Sequence, residues 1–287
     1  MHNKFIHLEV STFTNLRTKG LELDALLNDF FNVFNFISKD SIDILIEKVN
    51  GRRKFGKSTQ SNWDKICNFI LKGDVQHLLI NNSQDKVPYD SEFALSVTCD
   101  YNEEYSYMNL KNPIANNISF AINEKIFSGT FPLNVQEKVV KFLKNIFVKF
   151  NGIYGFITFE RKWPGFTPIP TPLEQILNIN YIFNSYKFKN KARGYFWANI
   201  LSEEHILKLG GFDNVKKTAP CYIIENIELD NKKALYLQLT PDINDYSDEK
   251  LLELKKFLSP VLPEEDMDMI NQMDPNEVVR RHSRLVF

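Results

Sequence analysis

The stretch LNVQEKVVKFLKNIFVKFNGIYGFITFE, residues 133–160, decides the fold class. Its first eighteen residues place Val135, Val139, Phe142, Leu143, Ile146, Phe147 and Phe150 on one stripe of a helix, with Lys138, Lys141 and Lys144 on other faces. Pro132 precedes the helix and Asn151-Gly152 stops it. The period then changes at once, and GIYGFITFE over 152–160 predicts a strand. A long amphipathic helix feeding directly into an apolar strand points to an α+β protein: a mixed, largely antiparallel sheet or sheets covered by long amphipathic helices.

Working outward from that junction, the same alternation recurs on both sides. Residues 4–13 predict a strand, and a helix over about 22–37 aligns Leu23, Leu26, Leu27, Phe30, Phe31, Phe34 and Ile37. Residues 42–49 suit a strand or a short helix, and 51–61 are polar, basic and loop-like. Ser61 is placed to cap a helix over 62–72 that ends at Gly73. Strands follow over 76–81, 92–99 and near 117–123. In the second of these Phe93, Leu95, Val97 and Cys99 share one face.

Beyond residue 160, the Pro-rich WPGFTPIPTP (163–172) must be extended, because its four prolines cannot enter a helix interior. A helix over about 173–184 and a strand over 194–200 come next. Ser202 caps a short helix, with Glu203 and Glu204 in its first turn, and Gly210-Gly211 ends it. Strands over 221–228 and 234–239 are joined through Asp230-Asn231, and Ser247 caps a last helix lined by Leu251, Leu254 and Leu258. The expected organisation is one globular domain over 1–262, with subdomains divisible at 150/151, and a charged tail over 263–287. Both halves read as strands followed by an amphipathic helix, an order compatible with two similar halves.

Bulk properties narrow the function classes. With 43% hydrophobic and 25% charged residues the 287-residue chain is an ordinary globular one, not a disordered one. A net charge of -1 argues against a general nucleic-acid binder, which carries a basic excess. Cys67, Cys99 and Cys221 are odd in number and far apart, which fits a reducing compartment without disulfides. No apolar run is long enough for a signal peptide or a membrane span, so the cytoplasm is expected. His2, His7, His77, His205 and His282 show no metal-ligand spacing, and no nucleophile elbow occurs; neither a catalytic residue, a metal nor a cofactor is expected. His205, beside Glu203 and Glu204, is expected to form a solvated pair.

Three local features invite function. Gly51-Arg-Arg-Lys-Phe-Gly56-Lys57-Ser58 matches the spacing of a phosphate-binding loop, whose amides cradle phosphates while the lysine and hydroxyl reach phosphate and magnesium. Its bulky interior residues and the lack of a strand ending in paired acids favour a basic surface loop. Lys187, Lys189, Lys191 and Arg193, interleaved with Phe188, form a basic and aromatic stretch of the kind that tracks single-stranded nucleic acid. Asp242, Asp245, Asp248 and Glu249 are a dense acidic group, Glu264, Glu265, Asp266 and Asp268 another, and Trp163 and Phe166 are loop aromatics suited to anchoring a partner.

The segments YGFITFE (154–160), RGYFWANILSEEHILKLGG (193–211) and LYLQLTPDIND (235–245) carry a resemblance. Over about 152–260 the chain resembles immunity proteins of bacterial polymorphic and type VI secretion toxin systems. The resemblance implies a non-catalytic protein that binds and neutralises a cognate toxin, encoded by a neighbouring gene, in the producer's cytoplasm. It transfers no catalytic residue. If such a toxin is a nuclease its active site is basic, and Asp242, Asp245, Asp248 and Glu249 would be the complementary surface, with Trp163 and Phe166 as anchors. The phosphate-binding loop and the nucleic-acid module are the alternatives.

Overall fold

A computed structural model describes residues 4–37, 42–49, 53–57, 60–82, 91–99, 112–160, 185–245 and 247–263. Its centre is one ten-stranded sheet of order β3-β2-β4-β5-β6-β1-β7-β8-β10-β9. The strands are β1 (Phe5–Thr12), β2 (Asp43–Lys48), β3 (Arg53–Lys57), β4 (Val75–Asn81), β5 (Phe93–Thr98), β6 (Asn116–Asn123), β7 (Tyr154–Glu160), β8 (Ala198–Ser202), β9 (Ile223–Glu228) and β10 (Lys233–Gln238). Every pairing between them is antiparallel. The chain is therefore α+β, as its periodicities predict. Strand β1 bonds β6 on one side and β7 on the other, so the sheet runs unbroken from the first half of the sequence into the second.

Helices α1 (Gly20–Val33), α2 (Gln60–Leu71) and α3 (Leu133–Lys149) lie on one face of this sheet. All seven residues of the first predicted stripe, Leu23 to Ile37, are buried, as are all seven of the α3 stripe. Phe30 is the hub: its ring lies 5.1 Å from Phe120 of β6, 6.2 Å from Phe93 of β5 and 5.8 Å from Phe142 of α3. Two helices come close because Gly20 lacks a side chain; a Cβ there would sit 2.7 Å from the Ile70 carbonyl oxygen of α2. At the end of α3, Asn151 adopts a left-handed φ of 50°, and any Cβ on Gly152 would overlap the Phe147 ring. That is why Asn-Gly separates this helix from β7.

Short helices α4 (Glu203–Lys208) and α5 (Phe212–Thr218) follow β8, and α6 (Asp248–Leu258) follows β10. Ser247 caps α6 by accepting from the Lys250 amide. No helix among the described residues is long and apolar enough to cross a membrane.

Of the two readings of residues 42–49 the strand is the one observed, as β2. Three details differ from the sequence expectations. The stretch 51–61 is not a plain loop: Arg53–Lys57 is strand β3, paired with β2, and α2 already starts at Gln60. An edge strand needs one neighbour only, so it tolerates a polar sequence with no apolar alternation. The strand expected over 194–200 starts later, at Ala198. Before it, the Tyr154 hydroxyl donates to the Gly194 carbonyl and the Asn199 amide to the Phe196 carbonyl, so side chains satisfy backbone groups that a ladder would otherwise hold. Helix α5 lacks any expectation, since its seven residues bury only Val215. The Pro-rich loop, the helix over 173–184 and the tail from 264 lie outside the described residues.

Candidate functional site

On the face of the sheet away from α1, α2 and α3, alternation sends the odd residues of β1 inward. Besides Phe5 these are His7, Glu9 and Ser11, all buried. The register sets them beside Ala121, Ser119 and Asn117 of β6, and beside Thr158, Phe156 and Tyr154 of β7. One step further, Ser96 and Thr98 of β5 extend the polar row. Most side chains of this floor are small or polar, and Asn117, Ser119, Ser96 and Thr98 are all buried.

Arg193 enters this floor from the segment before β8 and forms an ion pair with Glu9 in which both side chains are fully buried. The guanidinium also lies over two rings, 5.1 Å from the centre of Phe188 and 5.8 Å from that of Phe156. Asn117, in the orientation that satisfies both ends of its amide, donates to Glu9 Oε1 at 3.1 Å. The Phe156 ring stacks on Phe196 at 4.2 Å and meets His7 edge-on at 5.6 Å. Burial, and then the Arg193 charge, hold the His7 imidazole down at about 3. It is neutral, and its Nε2 has no hydrogen-bond partner among the described residues.

His205 was expected to be solvated; it is fully buried. Its Nδ1 accepts from the Ser202 amide at 3.2 Å and lies 2.8 Å from Ser202 Oγ, closing a capping box at the start of α4. Burial lowers it to about 4. Two histidines that stay neutral when folded, but titrate near 6.5 when unfolded, make the unfolded chain the stronger proton binder between those values. Their stabilisation is complete above pH 6.5 and is lost as pH falls toward 4 and 3. We expect unfolding in urea to show a loss of about 1 to 2 kcal/mol per histidine between pH 7 and pH 5. His7→Phe should remove about half of that difference, and an unchanged difference would contradict the assignment.

The residues expected to carry function are placed as follows. Asp242 is half-buried, and its Oδ1 accepts from Gln136 Nε2 of α3 at 2.7 Å, from the Asn244 amide at 2.8 Å and from Asn244 Nδ2 at 2.7 Å. It knots the turn after β10 onto α3. Asp245, Asp248 and Glu249 are exposed and make no ion pair among the described residues. The two last-named open α6, and Leu252, 54% exposed, follows on the same helical face. Trp163 and Phe166, with the second acidic group at 264–268, lie outside the described residues.

Both alternatives lose their geometry. Arg53–Lys57 is extended and hydrogen-bonded to β2, with Lys57 opposite Asp43 and Gly56 opposite Ile44. A phosphate cradle needs these residues to curl so that successive amides converge. In the basic stretch Phe188 is buried and stacked on Arg193, and Arg193 is spent on Glu9. Lys191 donates to the Leu262 carbonyl and Lys189 lies 3.9 Å from Glu204. Phe188, the aromatic interleaved with those cations, is therefore held inside the protein. Among the described residues no group of three metal-ligating side chains comes together.

No protein-family model matches the chain, and no curated protein does. Among solved structures it is similar to the Pseudomonas aeruginosa T6SS protein PA0821, at a TM-score of 0.56 and 12% identity, over 99% of this chain and 87% of that one. The two share a fold along their length.

Proposed function

We propose that this protein is an immunity protein of a type VI secretion system: it binds a cognate toxin in the cytoplasm of the producing cell and neutralises it without catalysis. The observation that carries the proposal is the fold shared from end to end with a T6SS protein. The resemblance of residues 152–260 to immunity proteins supplies the role. The binding surface is the outer face of α6 and the turn before it. Asp245, Asp248 and Glu249 present three exposed carboxylates that make no ion pair among the described residues, and the exposed Leu252 lies one turn on from Asp248 and Glu249. Like charges crowded on one short segment repel one another, and a cationic partner surface relieves that cost while steering the encounter. Asp242 acts from behind by holding the turn against α3.

Calorimetric titration with the product of the neighbouring gene tests the surface. Reversing Asp245, Asp248 and Glu249 together to lysine should weaken binding by at least a hundredfold, about 3 kcal/mol, chiefly by slowing association. The triple variant should unfold within about 1 kcal/mol of the parent, because all three side chains are exposed. Undiminished affinity would exclude this surface.

A further inference from the structure

The two edges of the sheet differ. Strand β3 closes one edge with the sequence Arg53-Lys54-Phe55-Gly56-Lys57, three cations in five residues. Such an edge is guarded against pairing with another sheet. Strand β9 closes the other edge with Ile223-Ile-Glu-Asn-Ile-Glu228, which contains neither proline nor lysine and pairs with β10 in unbroken register. Its two charges each have a cation of the same chain paired with them or opposite them. Glu225 forms an ion pair with Lys144 of α3, and Glu228 stands opposite Lys233 of β10. Tyr222, just before the strand, is 63% exposed, and Asn226 in its middle is exposed too.

We infer that β9 is a pairing edge, and that its partner is β9 of a second copy of this chain, so that two sheets join into one across a twofold axis. The register follows from symmetry. A twofold axis perpendicular to the sheet keeps each face on its own side, so facing residues must have numbers that sum to an even value. Centring on Glu225 would set two carboxylates opposite each other, which is repulsive. Centring on Asn226 avoids this. Asn226 then faces Asn226 of the second copy, Glu225 faces Ile227, Ile224 faces Glu228 and Ile223 faces Leu229. Seven residues pair, no like charges are opposed, and two amide side chains meet at the axis, where each donates to the other. This pairing leaves the acidic face of α6 out of the ladder and is independent of the toxin-binding proposal.

Sedimentation of the full chain between 1 and 100 µM tests the inference. The expected result is a concentration-dependent shift from 33.6 kDa to twice that mass. Asn226→Lys would oppose two ammonium groups at the axis and should leave a monomer at every concentration, with an unfolding curve like the parent's. Asn226→Cys should give a disulfide-linked dimer on mild oxidation, since directly opposed Cβ atoms lie about 4.5–5.5 Å apart. Glu228→Cys, facing Ile224, should not. A parent that stays monomeric at 100 µM, or a dimer that persists in Asn226→Lys, would overturn the pairing.

Discussion

Arg193→Met is expected to destabilise the protein by about 3 to 5 kcal/mol, because it strips the counter-charge from a carboxylate that water cannot reach. Glu9 and Arg193 have no solvent-exposed side-chain surface, and the pair links β1 at the centre of the sheet to the segment entering β8. Removing the guanidinium leaves Glu9 buried among apolar and neutral groups, His7 included. Removing both charges is a different case, since neither ion then has to be desolvated. Glu9→Leu combined with Arg193→Met should therefore be more stable than Arg193→Met alone. Equilibrium unfolding in urea at pH 7 for the two single variants and the double closes the cycle. A single variant within 1 kcal/mol of the parent would show that the pair contributes little. For a chain whose total stability is of the order of 5–15 kcal/mol, the expected loss is a large share.

The second large effect concerns the opposite face. Phe30→Ala should cost about 3 to 5 kcal/mol, through the lost transfer energy of the ring and the cavity left behind. Phe30 is fully buried, and it touches α1 neighbours, two strands and α3 at once. No single neighbour can move in to fill the space without leaving another contact, so relaxation recovers little. Phe30→Leu keeps most of the volume and should cost less than half as much. Leu21→Ala, one turn from the same core but 76% exposed, should change stability by about 0.5 kcal/mol or less. Equal losses at Phe30 and Leu21 would refute the packing described for α1.

The helical face of the molecule is legible in the sequence, and the polar face much less so. Stripes such as Leu23 to Ile37 and Val135 to Phe150 are long, apolar and strictly periodic, so period alone assigns them. Three of the four odd residues of β1, His7, Glu9 and Ser11, are polar, which by alternation reads as a solvent face. They are buried because Arg193, 184 residues away from Glu9, arrives to pair with it, and no local pattern announces so distant a partner. The alternation did hold a signal: Phe5 and, on β7, Tyr154 and Phe156 lie on the same face as Glu9, and an exposed face would not carry them. Helix α5 and strand β3 escape for the opposite reason: both are short, with little apolar periodicity to detect, and α5 buries only Val215.

The acidic group shows the same division at the level of a site. Asp242, Asp245, Asp248 and Glu249 look alike in sequence. Asp242 differs because Gln136, on a helix 106 positions earlier, donates to it. The phosphate-loop spacing at Gly51–Ser58 is the converse case. The pattern is present in sequence, and the backbone of Arg53–Lys57 pairs with β2 in place of forming the loop. A spacing of residue types fixes no dihedral angles, whereas a ladder of hydrogen bonds does.

The most direct test of the proposed function is growth of cells expressing the neighbouring gene's product with and without this protein, read together with co-purification of the two. The account predicts that the product alone arrests growth, that the parent protein restores it in a stable complex, and that the Asp245→Lys, Asp248→Lys, Glu249→Lys variant does neither while remaining folded. Arrest that persists in the presence of the folded parent protein, with no complex recovered, would contradict the immunity function.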